Sequence, residues 1–216
     1  MLRFPHLFER TFQKLNIESL FKSREVARSW KCFIKERNYS WLRVVNIPRT
    51  LQNSNTYLHL AAETGQIGTF ETALSEEDDI DIKNMYGETS FQLACKNGRL
   101  NIVELLLKST SLNIDVNARD NYGYTGFFFA CQEGHLNVAK VLMEKSVALG
   151  IDLNAKDARN PTAFTIACIK GHSDIVQLII EFSVDTGGID LNTQNEFGYC
   201  AFRWACADGH SDLVKI

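Results

Sequence analysis

Four of the six cysteines in this 216-residue chain, Cys95, Cys131, Cys168 and Cys206, recur at intervals of 36, 37 and 38 residues, each beside an alanine. His135, His172 and His210 recur at the same intervals, directly after a glycine. Thiols and imidazoles in such numbers could hold zinc, form disulfides or pair as nucleophile and base. The intervals argue against all three. A residue type that returns at a fixed long period belongs to a repeated unit, and equivalent points on stacked helices lie ~8–10 Å apart. A disulfide needs Cα atoms within ~7 Å, and zinc needs its ligand atoms ~2.3 Å from one metal. A Cys–His pair that recurs in every unit is scaffold rather than a catalytic site. The four cysteines are expected to be small buried hydrophobes in a reducing compartment. The histidines are expected to hydrogen-bond backbone groups in the turn between helices. Asp174 and Asp212 fall two residues further on, where a negative charge suits a helix start. There is no phosphate-cradling glycine loop, no His-Glu metal helix and no nucleophile elbow. Gly187-Gly188 reads as a loop and Glu76–Asp79 as a solvated acidic loop. No catalytic residue, metal or cofactor is expected.

The composition, 45% hydrophobic and 23% charged, is that of an ordinary soluble globular protein. No apolar run approaches the ~18 residues of a membrane helix, and Met1–Arg10 holds no apolar core of a secretory signal. A cytoplasmic or nuclear protein is expected, with no membrane partner. The net charge of −3 hides an asymmetry: residues 1–50 carry 11 Lys+Arg against 4 Asp+Glu, and the remainder 12 against 22. Two modules facing different partners are implied. The cations of the first fifty residues are interleaved with core-like positions and no nucleic-acid motif is present, so nucleic acid is not an expected partner.

The elements that carry these residues follow from self-similarity. TYLHLAAETGQ from Thr56, TSFQLACKNGR from Thr89, TGFFFACQEGH from Thr125, TAFTIACIKGH from Thr162 and CAFRWACADGH from Cys200 align with one another. Between them run IDIKNMYG, IDVNARDNYG, IDLNAKDARN and IDLNTQNEFG. Each unit reads as two helices: a short one with small residues such as Ala94 and Cys95, ended at Gly98, then one such as Leu100–Lys108 with a broad apolar face. One such pair cannot bury its apolar face alone; stacked pairs share a continuous core. The pattern resembles the ankyrin repeat over Leu51 to Ile216. The resemblance implies an all-α solenoid with short β-turn fingers and repeats at about 51–83, 84–119, 120–156, 157–194 and a partial 195–216. It departs from the family in three ways. The proline of T-P-L-H is Tyr57, Ser90, Gly126, Ala163 and Ala201. Three, four and five extra residues precede successive I-D phrases, expected to lengthen the second helix or its loop. Leu213, Val214 and Ile216 do not make a polar cap, as expected of a longer array or a truncated one.

Ankyrin repeats bind partner proteins, and the resemblance implies a target on the concave face of finger tips and first-helix ends. It places there Met85, Tyr86 and Glu88; Asn121, Tyr122 and Tyr124; Arg159 and Pro161; and Glu196, Phe197 and Tyr199. The helix ends add Lys96, Gln132, Glu133, Ile169 and Lys170. Five of these are aromatic, costly to leave in water and common at binding hot spots.

The first fifty residues show apolar positions at helical spacing: Leu7, Phe8, Phe12 and Leu15; Ile17 and Leu20; then Val26, Ala27, Trp30, Phe33 and Ile34. Three helices that only cap the first repeat would satisfy this. The pattern Phe4-Pro5, Phe12, Leu15, Ser19-Leu20, Arg24, Val26, Arg28, Trp30, Ile34 and Trp41 also resembles the F-box, although the usual cysteine before Arg28 is Ala27. That resemblance, over residues 1–48, implies docking onto a Skp-family adaptor of a cullin ubiquitin ligase through Pro5, Leu7, Phe12, Leu15, Leu20 and Val26. The whole would be a substrate-recognition adaptor, monomeric outside the complex, that does no chemistry itself. The alternative is a non-enzymatic ankyrin scaffold.

Overall fold

In four of the five repeats the first helix starts at a threonine. Thr56, Thr89, Thr125 and Thr162 are extended and accept, through Oγ1, the amide three residues on, which fixes where four helices begin. The computed structural model describes residues 55–76, 79–109, 113–158, 161–194, 198–207, 209–210 and 212–213. The chain divides into two units, Met1–Arg49 and Thr50–Ile216; the described residues all lie in the second. Residues 1–48, with the expected adaptor-docking positions Pro5, Leu7, Phe12, Leu15, Leu20 and Val26, lie outside them.

Among the described residues there are nine helices and no strand. They are α1 (Tyr57–Thr64), α2 (Ile67–Glu76), α3 (Ser90–Lys96), α4 (Leu100–Lys108), α5 (Gly126–Gln132), α6 (Leu136–Leu149), α7 (Ala163–Lys170), α8 (Ser173–Thr186) and α9 (Ala201–Ala207). The odd-numbered helices are the first helix of each repeat and stack in order, α1 on α3, α3 on α5, α5 on α7 and α7 on α9. The even-numbered helices form a second layer behind them. Leu58, Phe91, Phe127 and Phe164 occupy one position of the first helices and are buried, as are Ala61, Ala94, Ala130 and Ala167. The second layer contributes Phe70, Ile102, Leu106, Val138, Leu142, Ile175 and Ile179. No described helix is long and apolar enough to cross a membrane.

At Gly126 the missing proline has a packing counterpart. A Cβ on Gly126 would lie 2.8 Å from the ring of Phe91 and 3.1 Å from Cys95 Sγ, so α5 enters directly over the core of the preceding repeat. A proline ring there would collide with it. The extra residues go to two places. In the third and fourth repeats they extend α6 and α8 to 14 residues, against 9 in α4. In the second repeat the helix stays short and the added length lies after Lys108.

One register differs from the reading of the I-D phrases. Asp115, Asp152 and Asp190 each accept the amide two residues on, at 2.9–3.0 Å. In the first finger Asp79 does this, accepting from Asp81 N at 3.0 Å. Asp79, not Asp81, is therefore the counterpart of Asp115, and Asp81 takes the place of Asn117 and Asn154. The shorter first phrase hides this two-residue offset in the sequence.

Candidate target-binding surface

The finger tips are built by a side chain that imitates a backbone turn. Asn84 Oδ1 accepts the amides of Tyr86 and Glu88, both at 2.9 Å. Asp120 Oδ1 accepts those of Tyr122 and Tyr124 at 2.9 and 2.8 Å. Both turn residues are buried. Burial pushes the Asp120 carboxyl above the usual carboxylate range, and these two amides act against that rise. Neighbouring fingers are joined backbone to backbone, Asn121 N to Tyr86 O and Ala158 N to Tyr122 O, both at 3.0 Å. The backbone of the tips is thus held by hydrogen bonds to its own turn residues and to the neighbouring finger.

The side chains of the tips divide sharply. Met85 is 57% exposed, Tyr86 42% and Tyr122 59%. These three form an apolar surface on two adjacent fingers. Asn121 lies between them, exposed, with Nδ2 donating to Met85 O at 3.0 Å. Tyr124 is half-buried, stacked on Phe128 with ring centroids 4.4 Å apart and edge-on to Phe129. Tyr122 extends this stack outward, 5.8 Å from Tyr124.

Glu88 departs from the expectation. It is buried, with Oε1 2.6 Å from Lys96 Nζ and Oε2 accepting from Asn84 Nδ2 at 3.1 Å. Its side chain supports the finger from behind and is not presented to a target. Lys96, half-exposed, also lies 4.9 Å over the Phe129 ring, a cation–π contact that fixes where the ammonium points. Glu133 and Lys170 are exposed, whereas Gln132, Pro161 and Ile169 are half-buried. Tyr199 is half-buried under Arg203, 3.7 Å away, and edge-on to Trp204. Arg159, Glu196 and Phe197 lie outside the described residues.

The recurring histidines do bond to backbone, but they reach back across a whole repeat. His135 Nε2 donates to Lys96 O at 2.9 Å, His172 to Gln132 O at 3.0 Å and His210 to Ile169 O at 3.0 Å. In the second repeat Arg99 Nε makes the equivalent bond to Glu63 O at 2.9 Å. Each ring lies against the glycine of the preceding repeat. At Gly134, where φ is +80°, a Cβ would meet His172 at 2.8 Å. The glycine thus serves both the left-handed turn and the approach of the next repeat's ring. Arg99 shares no residue type with the histidines; its position directly after Gly98 is the sequence signal that marks it as their counterpart.

The cysteines among the described residues are free thiols. Cys95, Cys131 and Cys168 are buried; burial pushes all three thiols up, that of Cys168 to about 12, so none is a ready nucleophile. Cys206 departs from the expectation and is exposed, as is Phe202 at 60%. Among the described residues no further helix covers α9 on that side. Among them, too, no three His, Cys, Asp or Glu side chains converge as metal ligands.

The family profile described as ankyrin repeats, in three copies, matches residues 58–157 and 147–216. A stretch of 69 residues, 32% of the chain, is 33% identical to part of alpha-latroinsectotoxin-Lt1a of Latrodectus tredecimguttatus, and it spans 5% of that protein's length. The repeated capped helix pairs, the paired fingers and the profile match over most of the sequence agree: the chain belongs to the ankyrin-repeat family, whose members are typically non-enzymatic scaffolds for protein–protein interaction.

Proposed function

We propose that this chain is the target-recognition subunit of a Skp–cullin–F-box type ubiquitin ligase. Residues 1–48 dock it onto the Skp-family adaptor, and the finger tips of its first two described fingers capture the target protein. The observation that carries the target side is the group of Met85, Tyr86 and Tyr122, three large apolar side chains left in water on fingers whose backbone is closed by hydrogen bonds. Fixed aromatic side chains lose little entropy on binding, and truncating such an anchor typically costs over ~2 kcal/mol of affinity. The ligase side rests on the sequence pattern from Phe4-Pro5 to Trp41 and on the net +7 of residues 1–50. The adaptor surface of this class is generally acidic, and that charge would steer the encounter. The protein's own contribution would be proximity, raising the target's effective concentration at the ligase in the cytoplasm or nucleus.

Two measurements test the two halves separately. The full chain is expected to co-purify with a Skp-family adaptor, and Leu7→Ala with Leu20→Ala to abolish this while the array stays folded. No binding by the wild-type chain would leave a plain ankyrin scaffold. For captured target, Tyr122→Ala is expected to weaken binding at least tenfold, about 1.4 kcal/mol, with stability within ~0.5 kcal/mol of wild type. Tyr124→Ala, in contrast, removes a ring stacked on the core and should lower stability as well.

A further inference from the structure

A second ladder runs along the base of the fingers, and one of its rungs is chemically different. Asn117 Oδ1 accepts from Asp152 N at 2.8 Å while its Nδ2 donates to Gly150 O at 2.7 Å. Asn154 repeats this with Asp190 N at 2.8 Å and Gly188 O at 2.9 Å. Each asparagine therefore grips the next finger at two points, one acceptor and one donor. At the first junction the same place is held by Asp81. Its Oδ2 accepts from Asp115 N at 2.8 Å, as the ladder requires. Its Oδ1 stands where the amide nitrogen should be, is buried, and has no hydrogen-bond partner. By the register of the other two rungs, the group expected opposite it is the carbonyl of Asn113, two residues before Asp115 as Gly150 is before Asp152. A carboxylate oxygen facing a carbonyl is repulsive; a protonated one donates to it.

We propose that Asp81 is a protonation-gated clasp between the first and second fingers: open at one point when ionised, and closed like its asparagine counterparts when it carries a proton. The charged groups that face Asp81 are consistent with this. Asp115 and Asp79 oppose its ionisation and Lys83 favours it, while burial, the largest influence, raises its pKa above the ordinary 3.8. The folded state then binds the proton more tightly than the unfolded chain. The penalty of the open clasp is full above the folded-state pKa and is relieved as pH falls through it toward 3.8. The two fingers it joins carry Met85 and Tyr86 on one side and Tyr122 on the other. If the target reading above holds, the clasp also sets the relative position of those tips.

The test is melting of the full chain as a function of pH, with exchange of the Asp115 amide read by mass spectrometry or NMR. Asp81→Asn supplies the missing donor and is expected to melt about 2–6 °C higher than wild type at pH 7. That gain should shrink toward zero as the pH is lowered to about 4. Taking the difference between the two proteins cancels every other titrating group they share. The reverse change, Asn117→Asp, should lower the melting temperature at pH 7 and install the same pH dependence at the second junction. Protection of the Asp115 amide should rise in Asp81→Asn at pH 7. A gain in Asp81→Asn that is absent, or that is equal at pH 7 and pH 4, overturns the proposal; so does Asn117→Asp behaving like wild type. None of these readouts involves a target or an adaptor, so failure of the functional reading leaves this test intact.

Discussion

The first and third repeats use the same helix position for opposite chemistry and toward opposite neighbours: His59 ties forward to the next finger, and Phe128 packs back on the finger of its own repeat. In the first, His59 is fully buried, with Nδ1 accepting from Thr56 N at 3.1 Å and Nε2 donating to Glu88 O at 3.0 Å in the next finger. The second repeat uses Gln92 for this, Oε1 accepting from Thr89 N at 2.8 Å and Nε2 donating to Ala118 O and Tyr124 O at 2.9 and 2.7 Å. In the third, the counterpart is Phe128, which has no polar atom to offer and instead lies flat against Tyr124. A polar tie fixes direction, because a buried donor must meet its acceptor. An aromatic stack fixes distance but leaves the ring free to lean. The exposed Tyr122 stands at the junction between the two regimes, at the end of the aromatic stack and on a finger whose carbonyl, Tyr124 O, is held by Gln92.

The largest way to break this comparison is to remove the ring. Phe128→Ala is expected to destabilise the array by about 3–5 kcal/mol, as for other buried phenylalanines, and to release Tyr124 into solvent. Chemical denaturation followed by circular dichroism measures the first; near-ultraviolet dichroism of the tyrosines follows the second. A loss under ~1 kcal/mol would mean that Tyr124 is held by its backbone alone. Gln92→Leu keeps the volume but takes away the partner of Thr89 N and of Ala118 O and leaves Tyr124 O with Asp120 N alone, and should cost about 2–4 kcal/mol. If it costs less than Phe128→Ala by no more than error, polar and aromatic ties are equivalent in strength and differ only in geometry.

The smallest effect is confined to acid. Burial holds the His59 pKa below its ordinary 6.5, and the bonds to Glu88 and Ile82 carbonyls oppose this only in part. The folded chain keeps His59 neutral while the unfolded chain takes up a proton. Its contribution is therefore full above pH 6.5 and is lost as pH falls below that value, by at most about 1.4 kcal/mol per pH unit. His59→Gln, which copies the second repeat's own solution, should remove this acid loss and leave stability at pH 8 nearly unchanged. An acid loss of the same size in both proteins would assign it to other groups. This trend runs opposite in sign to that of Asp81, so the two variants together separate them.

Much of the scaffold is legible in the sequence. The helix Leu100–Lys108 and the end of the first helix at Lys96 follow from apolar spacing and from glycine, both local signals. The cysteines at three of four repeated positions are buried because their period is that of the stack. What was not legible depends on neighbours a repeat away. Glu88 looked like a finger-tip acid, but Lys96 and Asn84 draw it inward. Tyr124 and Tyr122 are indistinguishable by type, and only the ring of Phe128 beneath separates the half-buried one from the exposed one. Cys206 has the same sequence context as Cys95, yet burial there needs a covering helix. The offset between Asp79 and Asp81 was hidden because two phrases beginning with Ile-Asp invite alignment on those letters.

The ladders of His, Arg and Asn bonds have a kinetic consequence. The most distant pair they join, His210 and Ile169, is 41 residues apart in sequence. Every step of assembly therefore closes a loop of about one repeat, and adding a repeat does not lengthen the loop that the next must close. Loop-closure cost per step stays constant instead of growing with chain length. Chains whose contacts are all of short range fold fast, and in a linear array growth can start at any repeat and spread outward. The rate at which this protein reaches its native state should then be set by its best single pair of neighbouring repeats, and shortening the array from the end farther from that pair should hardly change it.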